Sequence, residues 1–355
     1  MRITETAIPG LLIIDLDVHG DNRGWFKENW QRENFTGLAP ELASFQPVQN
    51  NISFNHAGAT RGLHAEPWDK LVSVAQGRIF GAWCDLREGS ESFGEVVTHE
   101  VGPETAVFVP RGVANGFQAL EETSYCYLVN EHWSAEARYA AVNLNIVDWP
   151  LEPTEISEKD KQHPALTDVS PMPARRILVT GANGQLGRAL KRLLTDAEFC
   201  SHADFDITDP PERNWKQYSA IINCAAYNDV NGAENDRAAA WAVNAEAPAR
   251  LARIAAENQL TLVHVSSDYI FDGVNEVHSE EELPSPLSAY GASKAAGDTA
   301  AQTAPQHYVI RTSWVFGDGE NFMSTMRRLA NKGVEPKVIH DQRGRPTFAE
   351  DLAKG

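Results

Sequence analysis

Residues 175–190, RRILVTGANGQLGRAL, place a glycine-rich turn between an apolar run and a helix-forming segment. This order predicts a buried strand that runs through a tight turn into a helix. Gly181 permits the turn, Gly184 lets the backbone approach a pyrophosphate, and Gly187 lets the helix pack closely on the strand. The positive end of the helix favours a phosphate there. The stretch predicts a dinucleotide site, while the pattern alone leaves open a glycine-rich turn that binds nothing.

The late position of this stretch divides the chain in two. With 355 residues, of which 42% are apolar, the chain exceeds the size of about 250 residues at which a single core usually stops growing. Before the stretch, short alternating runs between Ile8 and about Asn145 predict an antiparallel sandwich or barrel. After it, strands alternate with helices, which predicts βαβ units and a parallel sheet. We therefore predict domains at 1–165 and 175–355, with a proline-containing linker at 166–174.

The charge balance limits the partners of the chain. Its 31 basic and 49 acidic residues give a net charge of −18, which argues against nucleic acid or an anionic membrane as the main partner. The N-terminus has no cationic segment followed by an apolar one, and no apolar run approaches the roughly 18 residues of a membrane span. We therefore expect a cytoplasmic protein. Four widely separated cysteines favour neither a zinc ribbon nor a disulfide framework: Cys84, Cys126, Cys200 and Cys224.

A tyrosine and a lysine in YGASK are spaced to share one face of a helix. Tyr290 and Lys294 are four residues apart, which is about one helical turn. A phenol with a pKa of about 10 needs its anion stabilised by roughly 3 units to exchange a proton at neutral pH, and a nearby ammonium supplies part of that. Ser266 and Ser267 end another apolar strand, at the edge where open α/β sheets bind ligands. The pair predicts a proton donor, and an exposed Tyr–Lys pair is the alternative.

Longer strings in this half resemble a known family. TGANGQLG, INCAAYNDVNGAEND, SSDYIFDG, YGASKAAGD, RTSWVFG and DQRGRPTFAEDLA together resemble dTDP-4-dehydrorhamnose reductase, an extended short-chain dehydrogenase/reductase. The resemblance implies a Rossmann-like, doubly wound parallel sheet, NADPH or NADH as cofactor, and reduction of the C4 ketone of a nucleotide sugar. Family members continue beyond the last residue of this sequence, so we expect the C-terminal substrate subdomain to be incomplete here.

The resemblance also implies roles for the matching residues. Tyr290 donates the proton, Lys294 holds the ribose hydroxyls and lowers the pKa of the tyrosine, and Ser267, where the family commonly has threonine, hydrogen-bonds the carbonyl. Asp268 and Trp314 face the sugar nucleotide. Cofactor contacts are implied for Gly181, Gly184, Gln185, Leu186, Gly187, Asp206, Ile207, Ala226 and Tyr227, and also for Tyr290 and Lys294.

A histidine in RGLHAEPWDK raises the question of a metal in the first half. A cupin-type metal site uses a His-x-His pair and a carboxylate, whereas His64 has only Glu66 nearby and no second histidine at ligand spacing. The sequence therefore predicts no metal. Arg61, His64 and Lys70 instead gather basic groups in an acidic chain, which favours a pocket for a phosphate and an enolate. A hydrogen-bonded core or surface histidine is the alternative.

Strings across the first 165 residues resemble a second family. GDNRGWFKENW, PVQNNISFNHAGATRGLHAE, KLVSVAQGRIFGAWCDLREGSESFG, VPRGVANGF and ISEKDKQHP are similar to dTDP-4-dehydrorhamnose 3,5-epimerase. The resemblance implies a cupin-type barrel (jelly roll) without metal or cofactor, and a homodimer formed through this domain. It implies that His64, oriented by Asp160, is the base, that Lys70 stabilises the enolate and that Tyr127 returns a proton. Substrate contacts are implied for Arg23, Phe26, Glu28, Gln49, Asn51, Arg61 and Asn115.

Three positions depart from the pattern of the epimerase family. Trp133 stands where the family commonly has tyrosine, Asn115 where it has histidine, and Glu66 where it has glutamine. The two resemblances together imply successive steps of dTDP-L-rhamnose synthesis: epimerisation of dTDP-4-dehydro-6-deoxy-D-glucose at C3 and C5, followed by reduction. Trp133 and Asn115 favour one alternative, a single-centre epimerase with a ketoreductase for another deoxysugar. The other alternative is a non-catalytic protein that binds NAD(P)H and a sugar nucleotide.

Overall fold

The computed structural model describes residues 1–134, 137–319, 321–336 and 344–355. They form two compact units, Met1–Ala174 and Arg175–Gly355. Each unit has its own buried apolar clusters. Among the described residues, no helix has the length and apolar character needed to cross a membrane.

The first unit consists mainly of antiparallel strands. These are β1 (Arg2–Glu5), β2 (Leu12–Asp15), β3 (Val18–Asp21), β4 (Gly24–Lys27), β5 (Gln49–Asn55), β6 (Thr60–Ala65), β7 (Lys70–Gln76), β8 (Ile79–Asp85), β9 (Val96–Val101), β10 (Thr105–Val109), β11 (Val113–Ala119), β12 (Thr123–Val129) and β13 (Ala140–Ala141). One sheet has the order β1-β2-β10-β7-β12-β5, and a second has the order β13-β6-β11-β8-β9. Strands β3 and β4 form a separate hairpin.

The two sheets pack on each other through their inward faces. Val72 and Val107 of the first sheet share a buried cluster with Ile79, Trp83 and Phe117 of the second. Successive side chains of a strand point to opposite faces, so the alternating runs of the sequence place every second residue in this cluster. The predicted all-β first half, of cupin type, is confirmed.

Three short helices and the last part of the unit cover its outer faces. Helices α1 (Arg32–Thr36) and α2 (Pro40–Ala43) bury Phe35 and Leu42 against the first sheet. Val142 and Met172 pack against the second sheet, and α3 (Glu158–Lys161) lies between them in sequence. Residues 166–174, for which the sequence predicted a linker, belong to the first unit, and Met172 is only 1% exposed.

A parallel sheet forms the centre of the second unit. Its strands are β14 (Arg176–Thr180), β15 (Glu198–Cys200), β16 (Tyr218–Asn223), β17 (Thr261–Ser267) and β18 (His307–Thr312). Their order is β15-β14-β16-β17-β18, and all the pairings are parallel. The carboxyl ends of these strands therefore lie at one edge of the sheet. The predicted α/β class of the second half is confirmed.

Helices of the second unit alternate with these strands. They are α4 (Gln185–Leu193), α5 (Val230–Asn235), α6 (Arg237–Trp241), α7 (Ala247–Asn258), α8 (Ala289–Ala301), α9 (Phe322–Asn331) and α10 (Ala349–Lys354). The segment 236–259 reads as one helix in sequence, but a π-helical turn, Ala242–Glu246, separates α6 from α7. Beyond β18, two short strands, β19 (Val315–Phe316) and β20 (Thr347–Phe348), pair with each other.

Candidate active sites

His64 on β6 faces a cavity of about 660 Å³ in the first unit. Small-molecule sites commonly have volumes of roughly 300–1,000 Å³. The His64 side chain is 34% exposed, and its Nε2 lies 2.9 Å from Oδ1 of Asp160. The structure brings several predicted residues together around this cavity: His64, Asp160, Lys70, Tyr127, Arg61, Asn51 and Asn115. Gln49 lines an adjoining recess of about 440 Å³.

Asp160 is buried but remains charged. The backbone N–H of Gly62 donates to its Oδ2 at 3.1 Å, and its own backbone N–H donates to Oγ of Ser157 at 3.1 Å. Burial acts to raise the pKa of Asp160, but the hydrogen bonds from His64 and Gly62 outweigh it and lower the pKa to about 2. At neutral pH this carboxylate therefore fixes the orientation of the His64 ring.

Lys70 and Tyr127 also line the cavity and lie close to each other. Lys70, at the start of β7, is 5% exposed and pairs with Glu66. Its Nζ lies 4.8 Å from the centroid of the Tyr127 ring. Burial raises the pKa of Tyr127, and the nearby Glu66 carboxylate raises it further. The phenol is therefore protonated at neutral pH, next to a buried cation.

Asn115, which stands in place of the histidine of the epimerase pattern, is held on both sides. Trp83 Nε1 donates to its Oδ1 at 3.0 Å, and its Nδ2 donates to the Tyr125 hydroxyl at 3.1 Å. Asn115 is paired in register with His64 across β11 and β6. The position thus presents a fixed neutral amide beside His64 instead of a second titratable ring.

The structure does not bring Arg23, Phe26 and Glu28 to this cavity. Arg23 and Phe26 belong to the hairpin of β3 and β4, and Glu28 follows it; none of the three lines the cavity or its recess. The Arg23 side chain is 90% exposed and pairs with Asp21. Within a single copy of the chain, the predicted substrate contacts of these residues are therefore not formed.

His163 is a residue that the sequence reasoning missed. Its Nε2 lies 3.8 Å from Oδ1 of Asp160, and its ring meets that of His64 at a centroid distance of 4.9 Å. The sequence predicted no second histidine near His64, because His163 does not lie at the strand spacing of a His-x-His pair. The signal was present in ISEKDKQHP, where His163 follows Asp160 by three residues, close to one helical turn.

The glycine-rich turn of the second unit has the geometry of a phosphate cradle. Gly181 has φ +71°, and an added Cβ there would lie 2.7 Å from the backbone nitrogen of Ala225. A Cβ on Gly187 would collide with the carbonyl oxygen of Gly181. Gly184 is the N-cap of α4, which begins with Gln185 and Leu186. These positions leave the helix N-terminus open to a pyrophosphate, so the residues fit a dinucleotide.

The other predicted cofactor contacts are divided between surface and core. Asp206 accepts hydrogen bonds from the backbone N–H and hydroxyl of Thr208, whereas the side chain of Ile207 is buried in the core. Ala226 and Tyr227 follow β16, and the backbone N–H of Tyr227 donates to Oδ1 of Asn244 at 2.9 Å. Because the Ile207 side chain belongs to the core, only the backbone of this residue remains for the predicted cofactor contact.

Tyr290 and Lys294 lie in α8 with their side chains buried. Tyr290 is 8% exposed and Lys294 2% exposed, and Lys294 Nζ donates to the carbonyl oxygen of Val265 at 2.8 Å. Burial lowers the pKa of Lys294 to about 8. From the sequence, Lys294 was expected to lower the pKa of Tyr290. In the structure that pKa is raised, because burial outweighs the hydrogen bond with Ser267.

Ser267 and Asp268 lie at the carboxyl end of β17, and Trp314 lies beyond β18. Ser267 Oγ donates to Oδ1 of Asp268 at 3.2 Å and accepts from the backbone N–H of Tyr269 at 3.2 Å. Burial raises the pKa of Asp268. Trp314 has φ +43° and is 45% exposed. Its backbone therefore bends the chain between β18 and β19, and its ring is accessible.

Comparison with known proteins assigns each unit to a family. A model described as dTDP-4-dehydrorhamnose 3,5-epimerase matches residues 5–168, and one described as RmlD substrate binding domain matches residues 175–355. The chain belongs to both families. It therefore joins an epimerase-family unit and a reductase-family unit in one polypeptide.

Individual relatives match one unit each. The protein RmlC homolog of Streptococcus pyogenes is 51% identical over 46% of this chain and 89% of its own length. The dTDP-4-dehydrorhamnose reductase of Mycobacterium tuberculosis is 42% identical over 51% of this chain, and the chain spans 64% of that reductase. A Bacillus anthracis dTDP-4-dehydrorhamnose reductase in complex with NADP is 34% identical over 51% of this chain and 68% of its own, with a TM-score of 0.46.

The ionised state of Asp160 predicts a pH-dependent loss of stability. Its pKa falls from 3.8 to about 2 on folding, so its stabilising contribution is complete above the higher value and is lost as the pH falls through the lower one. We expect Asp160→Asn to be less stable than the wild type above about pH 5, with the difference shrinking towards pH 2. Urea unfolding followed by tryptophan fluorescence measures this difference.

The matched control for this experiment is Asp168→Asn, a change at an exposed carboxylate in the same part of the chain. It should follow the wild type at every pH. A stability difference between wild type and Asp160→Asn that does not change with pH would contradict the assignment of a depressed pKa to Asp160.

Proposed function

We propose that the chain is a bifunctional enzyme of dTDP-L-rhamnose synthesis. Its epimerase-family unit inverts C3 and C5 of dTDP-4-dehydro-6-deoxy-D-glucose, and its reductase-family unit reduces the C4 ketone with NADPH or NADH. One observation carries the proposal: each family-matched unit holds a candidate proton-transfer group with a candidate partner. His64 lies 2.9 Å from Asp160 in the first unit, and Tyr290 and Lys294 are buried one turn apart on α8 in the second. The NADP complex of the Bacillus anthracis reductase supports the cofactor.

The epimerisation needs a base, a group that carries negative charge and a proton donor. Asp160 engages Nε2 of His64, which leaves the other ring nitrogen to accept the proton from carbon next to the ketone. Lys70 stabilises the oxyanion of the resulting enolate. Tyr127, protonated at neutral pH, returns a proton to the opposite face. Exchange of protons with solvent then restores His64 and Tyr127 for the next inversion.

We expect His64→Ala to abolish exchange of solvent deuterium into the keto sugar. General bases contribute about 10²–10⁴-fold to rate, so the exchange rate should fall by at least about 100-fold. Binding of NADPH should persist. Mass spectrometry of the sugar nucleotide in D₂O measures it. His99→Ala, at an exposed histidine of β9, is the control and should exchange normally. Unchanged exchange in His64→Ala would remove His64 from the role of base.

The same experiment separates the two epimerase alternatives. Wild-type protein should incorporate deuterium at two carbons if both C3 and C5 are inverted. Incorporation at one carbon would favour a single-centre epimerase, the reading that the fixed amide of Asn115 favours.

In the reductase-family unit, the cofactor would be held by the glycine-rich turn and the start of α4. The nicotinamide supplies hydride to the C4 carbon of the sugar when bound. The raised pKa of Tyr290 keeps its phenol protonated, so it can donate a proton to the C4 oxygen. Lys294 places a cation beneath the site, and Ser267 hydrogen-bonds the carbonyl. Asp268 and Trp314 contact the sugar nucleotide.

We expect Tyr290→Phe to block oxidation of NADPH by the keto sugar while deuterium exchange continues. The substitution removes only the hydroxyl, so binding of NADPH, measured by fluorescence, should be retained. Absorbance of the reduced nicotinamide measures the reaction. Tyr308→Phe, at a tyrosine that is 65% exposed, is the control. A Tyr290→Phe enzyme that still oxidises NADPH would exclude Tyr290 as the proton donor.

We propose that the protein is a homodimer in which a second copy completes the epimerase cavity. Strand β5 lies at the edge of its sheet, and its side chains Ile52 and Phe54 are 67% and 57% exposed. Phe26, in the β3–β4 hairpin, is 65% exposed. An edge strand with apolar side chains is a template for pairing with another chain. A second copy would explain how Arg23, Phe26 and Glu28 reach a substrate that they do not reach within one copy.

We expect Phe54→Lys to shift the protein from dimer to monomer, because a charge would be buried at the interface. Size-exclusion chromatography with light scattering measures the mass. Val277→Lys replaces an apolar residue of the second unit that is 79% exposed and should leave the mass unchanged. A wild-type protein that is monomeric at micromolar concentration would refute the dimer.

A further inference from the structure

The proposed epimerisation gives no role to His163, the second histidine beside Asp160. The His163 side chain is 7% exposed. In the part of the chain that the structure describes, neither of its ring nitrogens makes a hydrogen bond of good geometry, although the backbone of Gly62 lies close enough to act on the ring. Buried polar groups in proteins are nearly always hydrogen-bonded. An imidazole without a well-formed hydrogen bond, 3.8 Å from a carboxylate oxygen, therefore points to a ligand that the ring would bind.

His64, Asp160 and His163 together form a set of metal ligands. One potential ligand atom from each residue lies within 4.8 Å of the other two. Zinc bonds to nitrogen and oxygen of about 2.0–2.2 Å in a tetrahedral site place neighbouring ligand atoms roughly 3.4 Å apart. The separations from Asp160 Oδ1 to Nε2 of His64, 2.9 Å, and to Nε2 of His163, 3.8 Å, lie on either side of that spacing. Histidine χ2 is a soft torsion, so ring rotation can adjust the remaining separation.

The placement of Asp160 suits a cation that is shared with the two rings. Its Oδ1 is the carboxylate oxygen that approaches Nε2 of both His64 and His163. The N–H of Gly62 holds the second carboxylate oxygen, which leaves Oδ1 directed at the two rings. The cavity beside His64 gives access to a fourth ligand from solvent.

We propose that His64, Asp160 and His163 form a binding site for Zn²⁺ or a similar borderline-soft divalent cation, and that its occupation stops proton abstraction. The cation takes Nε2 of His64 and Oδ1 of Asp160, and so replaces the hydrogen bond that makes His64 basic. Its positive charge also lowers the affinity of the ring for a proton. The inhibition rests on the proposed function, whereas the binding of zinc does not.

Zinc binding to the full chain tests the site directly. Isothermal titration with ZnCl₂, after removal of bound metal with EDTA, should show a site of unit stoichiometry with micromolar affinity. His163→Gln should weaken this site by about tenfold or more. His99→Gln, at an exposed histidine, should not change it. Co²⁺ bound at the same site should give the visible absorption bands of tetrahedral coordination, and these should be absent in His163→Gln.

Failure of the site and failure of the proposed function give different results. A wild-type protein that binds no zinc, or a His163→Gln variant with unchanged affinity, would overturn the site. If zinc binds and is lost in His163→Gln but solvent deuterium exchange is not inhibited, the site stands and its inhibitory effect is overturned. If the metal-free wild type shows no exchange at all, the proposed epimerase function fails, while the titration still decides the site.

Discussion

A buried carboxylate that keeps its charge organises the cavity of the first unit. Asp160 joins α3 to β6 through His64 and through the backbone N–H of Gly62, across 96 and 98 residues of sequence. Burial of a charge is costly unless hydrogen bonds compensate it. Here the compensating donors are the residues that shape the cavity, so the same contacts hold the C-terminal part of the unit on the sheet and orient the His64 ring.

The candidate site of the second unit contains a buried basic group, Lys294, where the first unit has a buried carboxylate. Lys294 is 2% exposed and donates a hydrogen bond to the carbonyl oxygen of Val265. Asp298, one turn further along α8, is also buried and pairs with Arg311 at 3.1 Å. Burial lowers the pKa of Lys294, while the carboxylate of Asp298 opposes that effect. The balance leaves a buried amine one turn along α8 from Tyr290, with its pKa lowered to about 8.

Sequence reasoning gave the two fold classes because their signals are local. Short apolar and β-branched runs mark strands such as β7 and β10, and the glycine spacing marks the turn before α4. Neither signal needs tertiary information. The bend at Trp314, which separates β18 from β19, was not predictable from the sequence. A left-handed backbone is rare at a tryptophan and is imposed here by the surrounding structure. The π-helical turn before α7 likewise interrupts a segment whose composition favours a continuous helix.

The candidate sites were predictable only where local sequence carries the signal. Family strings identified His64, Asp160, Tyr290 and Lys294, but the pKa of Tyr290 depends on how deeply it is buried, and spacing along a helix carries no information about depth. His163 was missed because its partner His64 lies on a strand 99 residues earlier, and only the fold brings the two rings to 4.9 Å. Arg23 was named from the family strings as a substrate contact, but in a single copy of the chain its side chain lies in solvent.

The chemistry of the proposed substrate gives a reason for joining these two units. A ketone at C4 acidifies the neighbouring carbons, so the epimerised sugar continues to exchange protons until the ketone is reduced. Reduction removes that acidity and fixes both inverted centres. A covalent link supplies the two activities in equal amounts and raises the effective concentration of one near the other. In the proposed function, the buried charges at Asp160 and Lys294 would act in succession on one carbonyl group. The first would assist proton removal from the carbons beside the carbonyl, and the second would assist its reduction.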